Sequence, residues 1–147
     1  MSMEFILDRI PHRPPFLWLD RVLEINDEMV RAEKDVPLDL DIFQGHYPHY
    51  PLVPGVLLCE AVFQAGALLI GERIQQQRDK GKDRGGVPVL TRILGAKFKR
   101  EVRPGDVLEV TARLIERMGP AWLMKGQVRV GGKIMVQVEF ACARKEE

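Results

Sequence analysis

Cysteine is scarce in this chain: there are two among 147 residues, Cys59 and Cys142, far apart. A disulfide framework or a thiolate metal site needs clustered cysteines, so both are read as small core or near-core residues. Histidine is scarce too, with only His12, His46 and His49. His46 and His49 stand three apart, but no Cys/His spacing completes a set of ligands, so no metal is expected. An excess of charge is also missing. Twenty-two Lys and Arg oppose 21 Asp and Glu, for a net +1, which gives no basis for nonspecific nucleic-acid binding. The opening MSMEFILDRI holds acids and no long apolar core. It does not read as a signal peptide, and a reducing cytoplasm is the expected setting. Repeats and a second domain are not evident. A single domain over residues 1–147 is expected, long enough for a real core.

One long apolar run is present. In residues 55–70 every position is apolar or small except Glu60 and Gln64. The run is short for a bilayer and has a carboxylate in its middle, so no membrane span is expected. Before it, residues 44–54 form a Gly/Pro-rich loop carrying His46 and His49. Pro54 suits a helix start, because its missing N–H would be unpaired there anyway. A helix without a wet face must be surrounded by protein, so this run is expected to be a buried central helix.

The rest of the chain supplies a wrapping. Residues 3–10 suit a short amphipathic helix, stopped by Pro11, Pro14 and Pro15. Residues 16–25 and 29–36 read as strands joined by the turn Asn26-Asp27-Glu28, and residues 37–43 as a connection. Residues 72–86 read as the exposed end of the helix and a mobile, charged loop. Strands are expected over 87–100 and 107–117, the second with Leu108, Val110, Ala112 and Leu114 on one face. Residues 121–130 and 133–143 flank Gly131-Gly132, a strong hairpin signal. The charged tail from Arg144 should fray. One buried helix and about six strands make an α+β chain whose antiparallel sheet curls round the helix. The free edge of such a sheet is commonly paired with a second copy, so a dimer is expected.

Three kinds of chemistry converge on the central segment. Glu60 is a carboxyl on an apolar helix, where burial favours the neutral acid, and a neutral acid can donate a proton. Gln64, one turn on, can hydrogen-bond it. The alternative is that Glu60 pairs with a basic residue and fixes the helix. His46, in the loop feeding the helix, is of the type that serves as a base near neutral pH. The first helix amides, at Gly55 and Val56, are unpaired within the helix and suit a carbonyl oxygen gaining negative charge. A base, an acid and an oxyanion site fit proton removal beside a carbonyl, with loss or gain of a group one carbon further on.

The segment GHYPHYPLVPGVLLCEAVFQ closely resembles the active-site stretch of the FabZ-type 3-hydroxyacyl-acyl carrier protein dehydratases, of pattern GHFPxxPxxPGVLxxEAxxQ. IPHRPPFLWLDRVLEI is similar to that family's N-terminal PHR-PF-DRV stretch, and LGAKFKREVRPGDVLEV to its later strand-turn-strand. The resemblance covers nearly the whole chain and implies the hot-dog fold. It implies a hydro-lyase of fatty acid biosynthesis that converts (3R)-3-hydroxyacyl-acyl carrier protein to the trans-2-enoyl thioester and water. His46 and Glu60 would be catalytic, drawn from different subunits of a homodimer. Gln64 would orient Glu60, and the Gly55 amide would hold the thioester carbonyl. The acyl chain would enter an apolar tunnel beside the helix. No cofactor is implied beyond the phosphopantetheine arm of the partner, acyl carrier protein. Hexamers, as trimers of dimers, are common in the family.

Glu60 also favours the FabZ type, since the related dehydratase/isomerases of the FabA type usually carry aspartate there. Tyr47 and Phe63 depart from the pattern, and Phe63, larger than the usual residue, is expected to fill core. Lys97, Lys99, Arg100 and Arg103 form a basic stretch that could steer the acidic carrier protein or simply face water. Two other functions share these features. One is a hot-dog thioesterase, which would need the oxyanion site and a carboxylate but not His46. The other is a non-catalytic acyl-binding homologue, which would need neither polar residue.

Overall fold

In the computed structural model, which describes residues 1–81 and 86–145, six strands form one antiparallel sheet. They are β1 (Arg21–Ile25), β2 (Met29–Asp35), β3 (Val87–Phe98), β4 (Val107–Met118), β5 (Ala121–Val130) and β6 (Lys133–Lys145). Their order across the sheet is β1-β2-β4-β5-β6-β3. The helices are α1 (Met3–Leu7), α2 (Ile42–Gly45) and α3 (Gly55–Asp79). Alternation decides which face of a strand turns inward. Leu108, Val110 and Ala112 of β4 are buried, while Arg113 between strand neighbours is exposed. At the β5–β6 hairpin both turn glycines have positive φ, 56° at Gly131 and 80° at Gly132, the geometry that matches strand twist.

The sheet wraps α3, which packs against β2, β3, β4, β5 and β6. Every residue from Ala61 to Gly71 is buried. Each large apolar side chain removed from water there contributes roughly 1.5–3 kcal/mol before entropy is counted. Close approach of helix and sheet needs small residues at the crossing. At Gly66 a Cβ would stand 2.8 Å from Phe140 Cζ, and at Gly126 one would collide with Val62 and the Thr111 carbonyl. Phe63 fills core as expected, edge-on to Phe140 with centroids 5.0 Å apart. Both cysteines are buried.

Several boundaries differ from expectation. One agrees: the exposed helix end expected after residue 72 is present, α3 continuing to Asp79, where Arg73, Gln76 and Gln77 are good helix formers. At 25 residues α3 is long and apolar enough to cross a bilayer by length and composition. Its burial, 72% of the apolar window, marks it as a core helix instead. Pro54 is the N-cap and Gly55 the first helical residue. The amphipathic pattern from residue 3 yields only α1, ending at Leu7, although Ile6 and Ile10 are both buried. The strand expected from Phe16 begins at Arg21. Residues 17–19 are buried but bond to α3 in place of a ladder, through the Trp18 amide. The connection from residue 37 ends in α2, which buries Phe43. Arg144 and Lys145 do not fray, since they pair with Pro88 and Val87 of β3. Part of the charged loop, residues 82–85, lies outside the described residues, as do residues 146–147.

The two sheet edges differ. β1 is short and charged, with Arg21 bonded to Glu33 and Asp35 of β2. β3 is twelve residues long and exposes Leu90, Ile93, Leu94 and Phe98. A long apolar edge is an open template for another strand.

Candidate active site

The loop before α3 is turned by Pro48, Pro51 and Pro54 and tied down by Val53, whose amide bonds the Val102 carbonyl at 2.8 Å. His46 Nδ1 lies 3.1 Å from the Leu52 carbonyl oxygen. A carbonyl only accepts, so Nδ1 carries the proton and Nε2 keeps the lone pair of a base. The imidazole is half-buried and meets the edge of Tyr47 at 4.7 Å between centroids. Tyr47 has φ 54°, a left-handed conformation costing about 1 kcal/mol for a side-chain-bearing residue. The turn that follows the histidine is therefore held by its surroundings.

At the start of α3 the Pro54 carbonyl accepts from the Leu57 and Leu58 amides. Gly55 and Val56 are the first two helical residues, so their N–H groups lie at the positive end of the helix. Val56 is 73% exposed. The Phe98 ring lies against Gly55, where a Cβ would come within 2.6 Å of Cε1. The end of β3 thus reaches the start of α3. A larger residue at position 55 would have to displace the exposed Phe98 ring.

Glu60 sits one turn further in. Its side chain is 20% exposed. Burial pushes its carboxyl above the usual carboxylate range, with the Gln64 hydrogen bond opposing. Gln64 is fully buried and fully used. Its Oε1 accepts from the Trp18 amide at 2.7 Å, and its Nε2 donates to the Phe16 carbonyl at 2.9 Å and to Glu60 Oε2 at 3.0 Å. The Trp18 N–H fixes which end of the amide is which, so Gln64 can only donate toward Glu60. Among the described residues no Lys or Arg pairs with Glu60, so the expected alternative of a structural pair with a basic residue is met only by a histidine. His12 Nε2 is 3.7 Å from Glu60 Oε2. Burial, then the Arg13 charge, lowers the His12 pKa. Cys142 of β6 lies close enough for the Glu60 charge to add to burial in pushing its thiol up to about 12.

The structure thus brings Gly55, Val56, Glu60 and Gln64 onto one helix end. Among the described residues no hydrogen bond or ion pair joins His46 to Glu60: His46 meets Leu52 and Tyr47, and Glu60 meets Gln64 and His12. His49 is exposed. The basic residues are exposed, and Arg103 lies against the loop. Arg103 packs over the Tyr50 ring and pairs with Glu101, and Arg100 donates to the Ile134 carbonyl. A cavity of about 670 Å³ lies on the sheet, lined in part by Lys97, Arg113, Lys125 and Glu139. Neither His46 nor Glu60 lines it. Sequence reasoning passed over His12, noting it only as a third histidine. It stands in a Pro-rich stretch without periodicity, and its place in the IPHRPPF match was the available signal.

The chain matches the model of the FabA-like domain over residues 10–139. It is 37% identical over 146 residues to the 3-hydroxyacyl-(acyl-carrier-protein) dehydratase FabZ of Petrotoga mobilis, covering 99% of each chain. It is 42% identical over 132 residues to the protein of the same name from Anaeromyxobacter dehalogenans, covering 89% of this chain and 82% of that one. Among solved structures, the dehydratase heterocomplex ApeI:P from Xenorhabdus doucetiae aligns with a TM-score of 0.79 at 18% identity, covering 97% of this chain and 91% of that one. At that identity the likeness speaks to the fold alone.

Proposed function

The chain belongs to the FabA-like family, among its FabZ-type dehydratases of hot-dog fold, and from that membership and the site's geometry we propose how it works. It is a 3-hydroxyacyl-acyl carrier protein dehydratase of fatty acid biosynthesis, removing water from a (3R)-3-hydroxyacyl thioester to leave the trans-2-enoyl thioester. The thioester oxygen lies against the Gly55 and Val56 amides, which stabilise negative charge as it develops. His46 Nε2 takes a proton from C2. The C3–O bond breaks as Glu60 gives its proton to the leaving hydroxyl, and water departs. His46 is then cationic and Glu60 anionic, and one proton returned from the first to the second resets the site. The chemistry is acid–base throughout and needs no metal or organic cofactor.

His46 and Glu60 meet across a homodimer formed along the apolar β3 edge, and three such dimers can associate further. The acyl chain runs along apolar surface beside α3. Lys97, Lys99, Arg100 and Arg103, next to the loop and helix start, attract the acidic carrier protein whose phosphopantetheine arm bears the substrate. The protein works in the cytoplasm as a single domain.

The observation that carries this reading is the setting of Glu60, a carboxyl whose pKa burial pushes up, with a locked amide and, among the described residues, no Lys or Arg paired with it. A structural carboxylate in a core would have a cation. The test is hydration of a short enoyl-acyl carrier protein, followed as loss of enoyl absorbance. His46→Ala and Glu60→Gln should each lower turnover by about 10²–10⁴-fold in a protein that still melts cooperatively. Normal turnover in either variant would remove the assignment.

A further inference from the structure

His12 is the one imidazole that reaches Glu60 inside a single chain. The segment carrying it is firmly seated. Ile10 is buried before it, residues 17–19 are buried after it, and the Phe16 carbonyl and Trp18 amide are both bonded to Gln64. The Arg13 guanidinium is turned away from Glu60, donating to the carbonyls of Leu7, Ile10 and His12. The His12 ring lies parallel to Phe16, 14° off plane at 6.4 Å.

Its Nδ1 atom is buried and has no hydrogen-bond partner among the described residues. A proton there would be a buried N–H without an acceptor, and an imidazolium would place one there too. The neutral ring with hydrogen on Nε2 avoids both. That nitrogen lies 3.7 Å from Glu60 Oε2, beyond hydrogen-bond length but at ion-pair distance, and Oε2 is the oxygen that accepts from Gln64 Nε2 at 3.0 Å. The remaining titratable neighbour of Glu60 is Cys142, which stays a thiol.

We propose that His12 is a positioning residue for the acid: its Nε2–H and that of Gln64 together reserve Glu60 Oε2 as an acceptor, so the transferable proton sits on Oε1. A carboxylic acid has two oxygens, and only one placement of the proton delivers it to the leaving group. One hydrogen-bonded donor on Oε2 and a second N–H able to close on it from 3.7 Å disfavour the wrong placement, because a proton on that oxygen would meet them head-on. The same donors stabilise the carboxylate left after transfer. This inference rests on the dehydratase reading, since it is the reaction that gives Glu60 a proton to place.

Three variants test it: His12→Leu removes the donor, His12→Asn holds a donor too short to reach Glu60, and His12→Gln restores one near the Nε2 position. The infrared band of the protonated Glu60 carboxyl, identified by its loss in Glu60→Gln, is titrated without substrate, and kcat and KM are measured alongside. In His12→Leu and His12→Asn the band should titrate at higher pH than in the wild type, because the carboxylate has lost a donor. Their kcat should fall about tenfold with little change in KM, and His12→Gln should recover most of both. Superimposable titrations in all four proteins would overturn the proposal, as would His12→Gln behaving like His12→Asn. If His12→Leu does not fold, the Asn and Gln pair decides alone. If the wild type showed no dehydration, the functional reading would fail while the titration still reported whether His12 acts on Glu60.

Discussion

Glu60 and His46 are fourteen positions apart in the sequence, yet one chain holds them in unlike ways. Glu60 stands on a helix wrapped by five strands, and its partner Gln64 is itself fixed by Trp18 and Phe16. His46 lies in a loop of exposed residues, with one backbone carbonyl and one ring as its contacts. The acid half is a finished piece of core. The base half is poised at the surface. A rigid acid and a surface base suit the proposed site shared between two copies, in which each copy would supply one half.

Mixing breaks or sharpens this contrast most strongly. Inactive His46→Ala and Glu60→Gln subunits, co-refolded in equal amounts, should regain turnover, since a mixed dimer has one site with both residues. Random pairing gives roughly a quarter of wild-type sites. No regain under conditions that exchange subunits would place both residues in one chain's site.

The next effect is Gln64→Leu, aimed at the lock on the acid side. It leaves the Trp18 amide and Phe16 carbonyl unpaired in the core and removes a donor from Glu60. Denaturant unfolding should show a loss of about 2–4 kcal/mol, and turnover should fall by roughly 10²-fold through misplacement of the acid. A loss of stability without loss of activity would separate the lock from the chemistry.

The smallest effect is a slope in pH. The folded Glu60 carboxyl is raised by burial, so the folded state binds a proton that the unfolded chain has released. Its contribution is full below the ordinary carboxylate range and is lost as pH rises through the raised value. His12 acts in the opposite window: its folded pKa is lowered, so its contribution is lost as pH falls through the imidazole range. Urea midpoints of Glu60→Gln should match those of the wild type in acid and exceed them at neutral and alkaline pH. Equal midpoints across that range would mean that Glu60 is ionised in the native state.

Much of the acid half was legible in the sequence, and the reason is locality. Glu60 and Gln64 are one turn apart on a helix whose apolar composition alone requires burial, so their contact follows from spacing. The β4, β5 and β6 strands followed from alternation and from a Gly-Gly turn. The His12 contact did not follow, because 48 residues of chain separate it from Glu60 and Pro11, Pro14 and Pro15 erase periodicity around it. The start of β1 was missed for a related reason. Residues 17–19 have the apolar content of a strand, but the Trp18 amide is taken by a side chain and not by a neighbouring strand.

Taken alone, the amino-acid order determined that a greasy helix carrying one acid would be enclosed by an antiparallel sheet, and that a histidine loop would lead into it. Tertiary structure decided which oxygen of the acid is occupied, which nitrogen of His46 is free, and which sheet edge stays open. Composition and period fix what must leave water. The assignment of single donors and acceptors depends on where distant backbone groups come to rest, and no local pattern encodes that.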